Sequence, residues 1–313
     1  MVIKVGMIGC NEGNGHPFSF SAIINGYESK ALLSSGWKVI DDYLKERDPS
    51  EFGFNNIKVT HAWTQCPEMT ETLCQACLIP HAIKDLTDML DQVDAIIIAR
   101  DDFENHKKFA MPFLENGIPV FIDKPLSLDE NELLYFKPFL QSGKLMSCSA
   151  MRYAKEIDKL RNTLSEYGDI PLIKCIGPLS WEKYGIHLLE SILPLLPSEP
   201  KSILSLNGQH DSMVITMEND TLIQINTMSD LKFSIFSPVP FQLELWGTQK
   251  NTNIILNDNF SMFRRMLWHF FHSIDTGKPS IPYHSTLSLM QLLIAGRISK
   301  QNNRKVMINE IRI

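Results

Sequence analysis

The 313-residue sequence predicts an α/β protein in two parts, a doubly wound parallel sheet over residues 1–151 and a second domain over residues 152–313. Three observations carry this. Short, continuous apolar runs such as "VIKVGMIG", "VDAIIIA" and "IPVFID" alternate with helical stretches in the first half, the signature of parallel strands buried on both faces. From about residue 152 strand candidates follow one another without helices between them, which favours antiparallel pairing. The length is that of about two domains, each able to bury a core.

The elements follow in order. "VIKVGMIG" opens the first sheet and runs into a loop rich in Gly and Asn, after which "FSFSAIING" is helical. Residues 27–56 are irregular and read as an insertion. "NIKVTHAWT" is the second strand, with a helix over 67–78; "HAIKDLTDML" gives a short strand and helix before the apolar "VDAIIIA". "ENHKKFAMPFLENG" is a helix closed by Gly117, a residue common at that position because it tolerates left-handed backbone. "IPVFID" and "KLMSCSAM" complete the first sheet. Beyond it, the helix "AKEIDKLRNTLSEYG" precedes the strands "PLIKCIGPL", "SILSLNG", "SMVITMENDTLIQINTM", "FQLELWGT" and "NIILN", with "END" as a hairpin turn. Helices over 261–276 and 284–300 close the chain.

Composition excludes several classes. Thirty basic and 36 acidic residues are spread without blocks, so no basic stripe for nucleic acid is visible. No apolar window reaches membrane-spanning length, and "MVIKVGMIGC" lacks a cleavage site, which predicts a cytoplasmic protein. The six cysteines lack the density of a disulfide scaffold. Cys74, Cys77 and His81, with Cys66, have a spacing that a metal can use, but a buried helical face explains it better, and no metal is expected.

In a parallel sheet of this kind ligands bind beyond the carboxyl ends of the strands. The first such end carries "GCNEGNGHPFS": Gly9, Gly13 and Gly15 leave room for a pyrophosphate, and Asn11 and Asn14 tolerate left-handed angles, with Cys10 and His16 completing the loop. The G-x-G-x-x-G pattern is absent, since Asn11 and Asn14 hold its second and third glycine positions. At the second strand end Thr64 stands where an acid would grip a ribose diol, and no arginine follows for a 2′-phosphate; were "WKVIDD" that strand, Asp41 or Asp42 would serve. NAD and NADP both stay open. The fourth end, "ARDDFENH", offers Ala99, Arg100, Asp101, Asp102 and His106, with helix capping by Asp101 and Glu104 as the competing role. The fifth supplies Asp123, Lys124 and Pro125, and the proline biases the lysine towards extended backbone. In the second half, "WEKYGIHLLE" places His187 and Glu190 three apart on one helix side.

Taken together, "VGMIGCNEGNGH", "VDAIIIARDDFENH", "GIPVFIDKPLS", "YGIHLLE" and "FHSIDTGKPSIPY" resemble the glucose–fructose oxidoreductase/inositol dehydrogenase (Gfo/Idh/MocA) family along nearly the whole chain. The resemblance implies an N-terminal Rossmann domain and a C-terminal α/β domain on a large, mostly antiparallel open sheet. It also implies NAD or NADP as cofactor, a sugar or polyol substrate, and a homodimer or homotetramer formed through that sheet. Lys124 matches the family's active-site lysine and His187 its catalytic histidine. Lys183 stands where the family often has an aspartate, four residues before the histidine. On this pattern His187 is the base that takes the hydroxyl proton, and Lys124 stabilises the developing alkoxide. Arg152, Tyr153, Trp181 and Tyr184 are candidate substrate contacts. The alternatives are a non-redox member that binds a dinucleotide or sugar, and an enzyme that retains its cofactor and returns the hydride to the substrate.

Overall fold

The computed structural model describes residues 2–228 and 239–313. The chain divides into two compact units. The first comprises Met1–Ser127, Tyr135–Cys148 and Asn259–Tyr283, and the second Leu128–Leu134, Ser149–Asp258 and His284–Ile313.

In the first unit, strands β1 (Ile3–Ile8), β2 (Ile57–Trp63), β3 (His81–Ala82), β4 (Ala95–Ile98), β5 (Val120–Ile122) and β6 (Leu145–Ser147) form a parallel sheet ordered 3-2-1-4-5-6. The order reverses between β1 and β4, so a crevice opens beyond Ile8 and Ile98, where such sheets bind ligands. Both strands are buried through that end, which is why they read as unbroken apolar runs. Helices α1 (His16–Asn25), α2 (Ser29–Ser34), α3 (Lys38–Leu44), α4 (Pro67–Ala76) and α5 (His106–Glu115) belong here, followed in sequence by α6 (Glu130–Gln141). Phe20 of α1 meets Phe121 of β5 at 6.2 Å between ring centres, and Phe121 meets Phe270 at 5.8 Å, so one aromatic cluster ties the sheet to its covering helices.

Two expectations are corrected. Residues 27–56 hold α2 and α3, and "WKVIDD" lies in α3, where Ile40, Asp41 and Leu44 turn inward at helical spacing. The expected long helix over 154–168 is helical only as α7 (Asp158–Thr163), with 3-10 turns before and after it.

The second unit is built on β7 (Leu172–Pro178), β8 (Pro200–Leu206), β9 (Asp211–Met217), β10 (Leu222–Met228), β11 (Phe241–Trp246), β12 (Asn251–Leu256) and β13 (Val306–Met307). Among the described residues their order is 12-11-7-10-9-8-13. All pairs are antiparallel except β7 with β10. Met217, Asp220 and Thr221 close the β9–β10 hairpin at the expected turn. Helices α8 (Ile186–Ile192) and α10 (Tyr283–Asn302) bury Leu188, Leu189, Leu292 and Leu293, while α9 (Asn259–Thr276) belongs to the first unit. Among the described residues no helix is long and apolar enough to cross a membrane.

Candidate functional site

The glycine loop leaves β1 at Gly9, which is held by close packing: a Cβ there would lie 2.3 Å from Pro17 Cγ. Gly13 has φ +76°, a left-handed angle that favours glycine, with open space where its side chain would be. Helix α1 then starts at His16 behind Gly15, and Asn14 Oδ1 accepts the His16 N–H at 2.8 Å. An open glycine turn leading into the positive end of a helix dipole suits an anionic pyrophosphate.

The neighbouring strand ends brace this loop. Asn11 Nδ2 donates to Asp101 Oδ1 at 2.5 Å, and the Asp101 N–H returns a bond to Asn11 Oδ1 at 3.2 Å. Arg100 is buried and pairs through Nε and Nη2 with Asp102, at 2.8 and 2.6 Å. Its Nη1 donates to the Cys10 carbonyl at 2.6 Å and to Gln65 Oε1 at 2.7 Å. An arginine therefore does reach the end of β2, but from β4, 35 positions away in sequence. Burial raises the Asp102 carboxyl, but Arg100 and Asn105 outweigh it and hold it below the usual range. Burial pushes the Cys10 thiol up to about 12, against the pull of Arg100, so it stays protonated and inert.

At the end of β5, Asp123 is buried and its N–H bonds to Ile98 O at 2.9 Å. His16 Nδ1 lies 2.5 Å from Asp123 Oδ2, and Asn14 Nδ2 reaches the same oxygen at 3.4 Å. Burial raises this carboxyl, yet the charges of His16 and Lys124 and bonds from both residues outweigh it, leaving it well below the ordinary range. A carboxyl depressed by folding adds stability that is present above its unfolded pKa and lost as pH falls through the folded one. Acid unfolding should therefore lose this contribution below about pH 5, through the ordinary carboxylate range and beyond. Asp123→Asn should flatten that limb in a circular-dichroism titration, and an unchanged limb would refute the assignment.

Lys124 is 3% exposed, with its ammonium 4.0 Å from Asp101 Oδ2 and Pro125 directly after it through a cis bond. Thr64 is buried and turned into the β2–α4 corner, its hydroxyl bonding to Cys66 O at 2.7 Å and Thr70 Oγ1 at 2.9 Å. His106, expected at the cofactor, is corrected: it is fully buried, with its ring nitrogens 3.0 Å from the Leu126 and Arg100 carbonyls. It ties the β4 and β5 loops together from behind.

The second unit contributes His187, half-buried near the start of α8. Its Nδ1 lies 2.6 Å from Ser149 Oγ, and the rings of Tyr184 and Phe241 meet it edge-on at 5.1 and 5.5 Å. Sequence reading singled out neither Ser149 nor Phe241. Glu190 is buried and takes Arg152 Nε at 2.5 Å, while Arg152 Nη2 donates to Ser285 Oγ at 3.0 Å. Arg152 is thus engaged in the fold, and Tyr153 beside it is half-buried. Trp181, expected at the substrate, is also corrected. Its indole is fully buried against Gly185 and Gly296, and its Nε1–H is spent on the Leu293 carbonyl at 3.1 Å. Lys183 is exposed. Among the described residues no group of three or more His, Cys, Asp or Glu side chains is arranged to hold a metal.

Residues 3–136 match the model of the Gfo/Idh/MocA oxidoreductase family, a family with an NAD-binding Rossmann fold. Over those residues the chain is similar to the Gfo/Idh/MocA family. Its cofactor class is accordingly NAD or NADP, and the open Gly13 turn before α1 fits that group. No curated protein matches the chain. Among solved structures, scyllo-inositol dehydrogenase from Lactobacillus casei with bound NAD(H) and scyllo-inositol is 15% identical, with a TM-score of 0.74 over 99% of this chain and 100% of that one. Myo-inositol 2-dehydrogenase from Lactobacillus plantarum is 13% identical, with a TM-score of 0.75 over 98% and 99%. Myo-inositol dehydrogenase from Lactobacillus casei in complex with NAD(H) and myo-inositol is 15% identical, with a TM-score of 0.73 over 98% and 97%. At these identities the likeness is one of fold.

Proposed function

We propose that this protein is a Gfo/Idh/MocA-type, NAD(P)-dependent dehydrogenase or reductase acting at a carbinol or carbonyl carbon of a sugar, sugar derivative or cyclitol. The observation that carries the reading is Lys124, a buried ammonium fixed at the carboxyl end of a core strand beside two carboxylates. Burying such a charge is expensive unless it is paired, and core stability alone does not call for one there. The loop from Gly9 to His16 would hold the dinucleotide, and NAD(P), when bound, supplies the hydride acceptor or donor. Lys124 and His187 are the groups that hydrogen-bond the reacting oxygen and exchange its proton. Tyr184 and Phe241 offer flat apolar faces of the kind that pack on sugar rings.

Titration with NADH and NADPH, followed by nicotinamide fluorescence, tests the cofactor step. Saturable binding is expected, weakened at least tenfold by Gly13→Val, because a β-branched residue is strained at φ +76°. A folded protein that carries neither cofactor and binds neither would favour the non-redox alternative. One observation already leans that way: the Arg100 guanidinium, tied to the Cys10 carbonyl and Gln65, takes up room beside the loop.

The open face of the second unit's sheet carries Leu206, Leu222, Trp246 and Ile255, each more than 40% exposed. We assign this face to a second copy of the chain, forming a homodimer or homotetramer. Trp246→Glu should lower the mass measured by light scattering, and an unchanged mass would exclude the face.

A further inference from the structure

Ser149 caps the 3-10 turn Ala150–Tyr153 and is 1% exposed. It is tied to α8 twice: its backbone N–H bonds to the Glu190 carboxylate, and its Oγ lies 2.6 Å from His187 Nδ1. Oγ also accepts the Met151 N–H at 3.2 Å. Among the described residues these two are the polar partners of the hydroxyl.

Counting hydrogens then decides the direction of the contact. The Met151 amide can only donate, so the one acceptor available to the serine's own hydrogen is His187 Nδ1. The opposite arrangement, with Nδ1–H donating into Oγ, would strand that hydrogen inside the protein. Buried donors in native structures are almost always paired, so the first arrangement is preferred. Tyr184 and Phe241 pack edge-on against the imidazole and hold the ring so that Nδ1 keeps facing Ser149.

We propose that Ser149 is a positioning residue that fixes neutral His187 as the tautomer with its hydrogen on Nε2. His187 then offers the substrate oxygen a fixed hydrogen-bond donor and has no lone pair at Nε2 with which to act as base. In the reducing direction the Lys124 ammonium then supplies the proton to the forming alkoxide and is left as the amine. This rests on the function proposed above and exchanges the two roles expected from the sequence. It also explains how the site does without an aspartate at position 183: the group that orients the histidine comes from Ser149, 38 positions away, and it is neutral. A neutral donor holds a neutral imidazole, whereas a carboxylate favours imidazolium.

The test is nitrogen NMR of the full-length protein with ¹⁵N-labelled histidine, His187 being assigned by its loss in His187→Gln. Near pH 8 the expected pattern is Nε2 at the shift of a protonated nitrogen and Nδ1 at that of an unprotonated, hydrogen-bonded one. In Ser149→Ala the Nδ1 signal should move downfield, towards an unbonded lone pair. A proton on Nδ1 in the unmodified protein overturns the proposal, and that spectrum decides even where the variant does not fold. An Nδ1 signal unmoved in a folded Ser149→Ala overturns it as well. Because the readout does not use turnover, a protein with the expected tautomer but no dehydrogenase activity would refute the proposed function and leave the Ser149 assignment standing.

Discussion

Lys124→Met will cut turnover by about 10²–10⁴-fold, the usual contribution of a positioned proton-transfer group, while NAD(P)H binding stays within a few-fold. Methionine keeps the length and apolar stem of lysine and deletes only the ammonium, so Leu126 and the strand before it keep their packing. Asp123 retains His16 as its partner, which limits the cost to folding. Steady-state kinetics on a sugar or cyclitol that the unmodified enzyme turns over gives the answer. The loss should fall on kcat more than on KM, because the ammonium acts on the proton as the bond changes. His187→Gln should cost less, on the order of tenfold to a thousandfold, since an amide N–H can still donate to the same oxygen. Turnover within threefold of the unmodified enzyme after Lys124→Met would remove the lysine from the chemistry.

Why Lys124 was legible in the sequence and Ser149 was not follows from how each is specified. β1, β4 and β5 are buried on both faces, so their apolar runs announce the strands, and the residues just beyond them, Gly9, Arg100 and Lys124, fall at the crevice by connectivity alone. A turn is declared by local chemistry in the same way, as at Gly13. Orientation within a helix or turn is not. Trp181 and His187 lie six positions apart in one helical stretch, yet the indole is fully buried while the imidazole is half-buried. An aromatic residue quoted from sequence fits either place. His106 misled for a related reason: its spacing after β4 suits a ligand contact, but both ring nitrogens find carbonyls brought in by the tertiary fold. Contacts between distant positions left no local trace at all. The Ser149–His187 bond and the reach of Arg100 to Gln65 join stretches 38 and 35 positions apart. The α2–α3 stretch was obscured because its helices are six and seven residues long, too short for a periodic stripe to stand out.

Glu190→Ala should destabilise the second unit by about 3–5 kcal/mol, the cost of removing one partner from a buried ion pair. The Glu190 side chain is 1% exposed and that of Arg152 10%, so the guanidinium left behind has little access to water. Burial pushes the Glu190 carboxyl up while Arg152 and the Ser149 N–H pull it down, so removing the carboxylate strands both donors. Ser285 Oγ still accepts from Arg152, but it carries no charge to offset the guanidinium. Replacing both partners, Arg152→Met with Glu190→Leu, should restore most of the loss, because two well-packed apolar side chains avoid the desolvation that the pair had to overcome. Urea unfolding of the two single variants and the double variant gives the cycle. A cost below about 1 kcal/mol for Glu190→Ala would mean that the pair behaves as an exposed one. A double variant no more stable than the singles would mean that the pair is held for the shape it imposes on Ser149 and α8. In that case His187 should lose its tautomer preference in the double variant as well, which links the stability of this corner to the chemistry proposed for it.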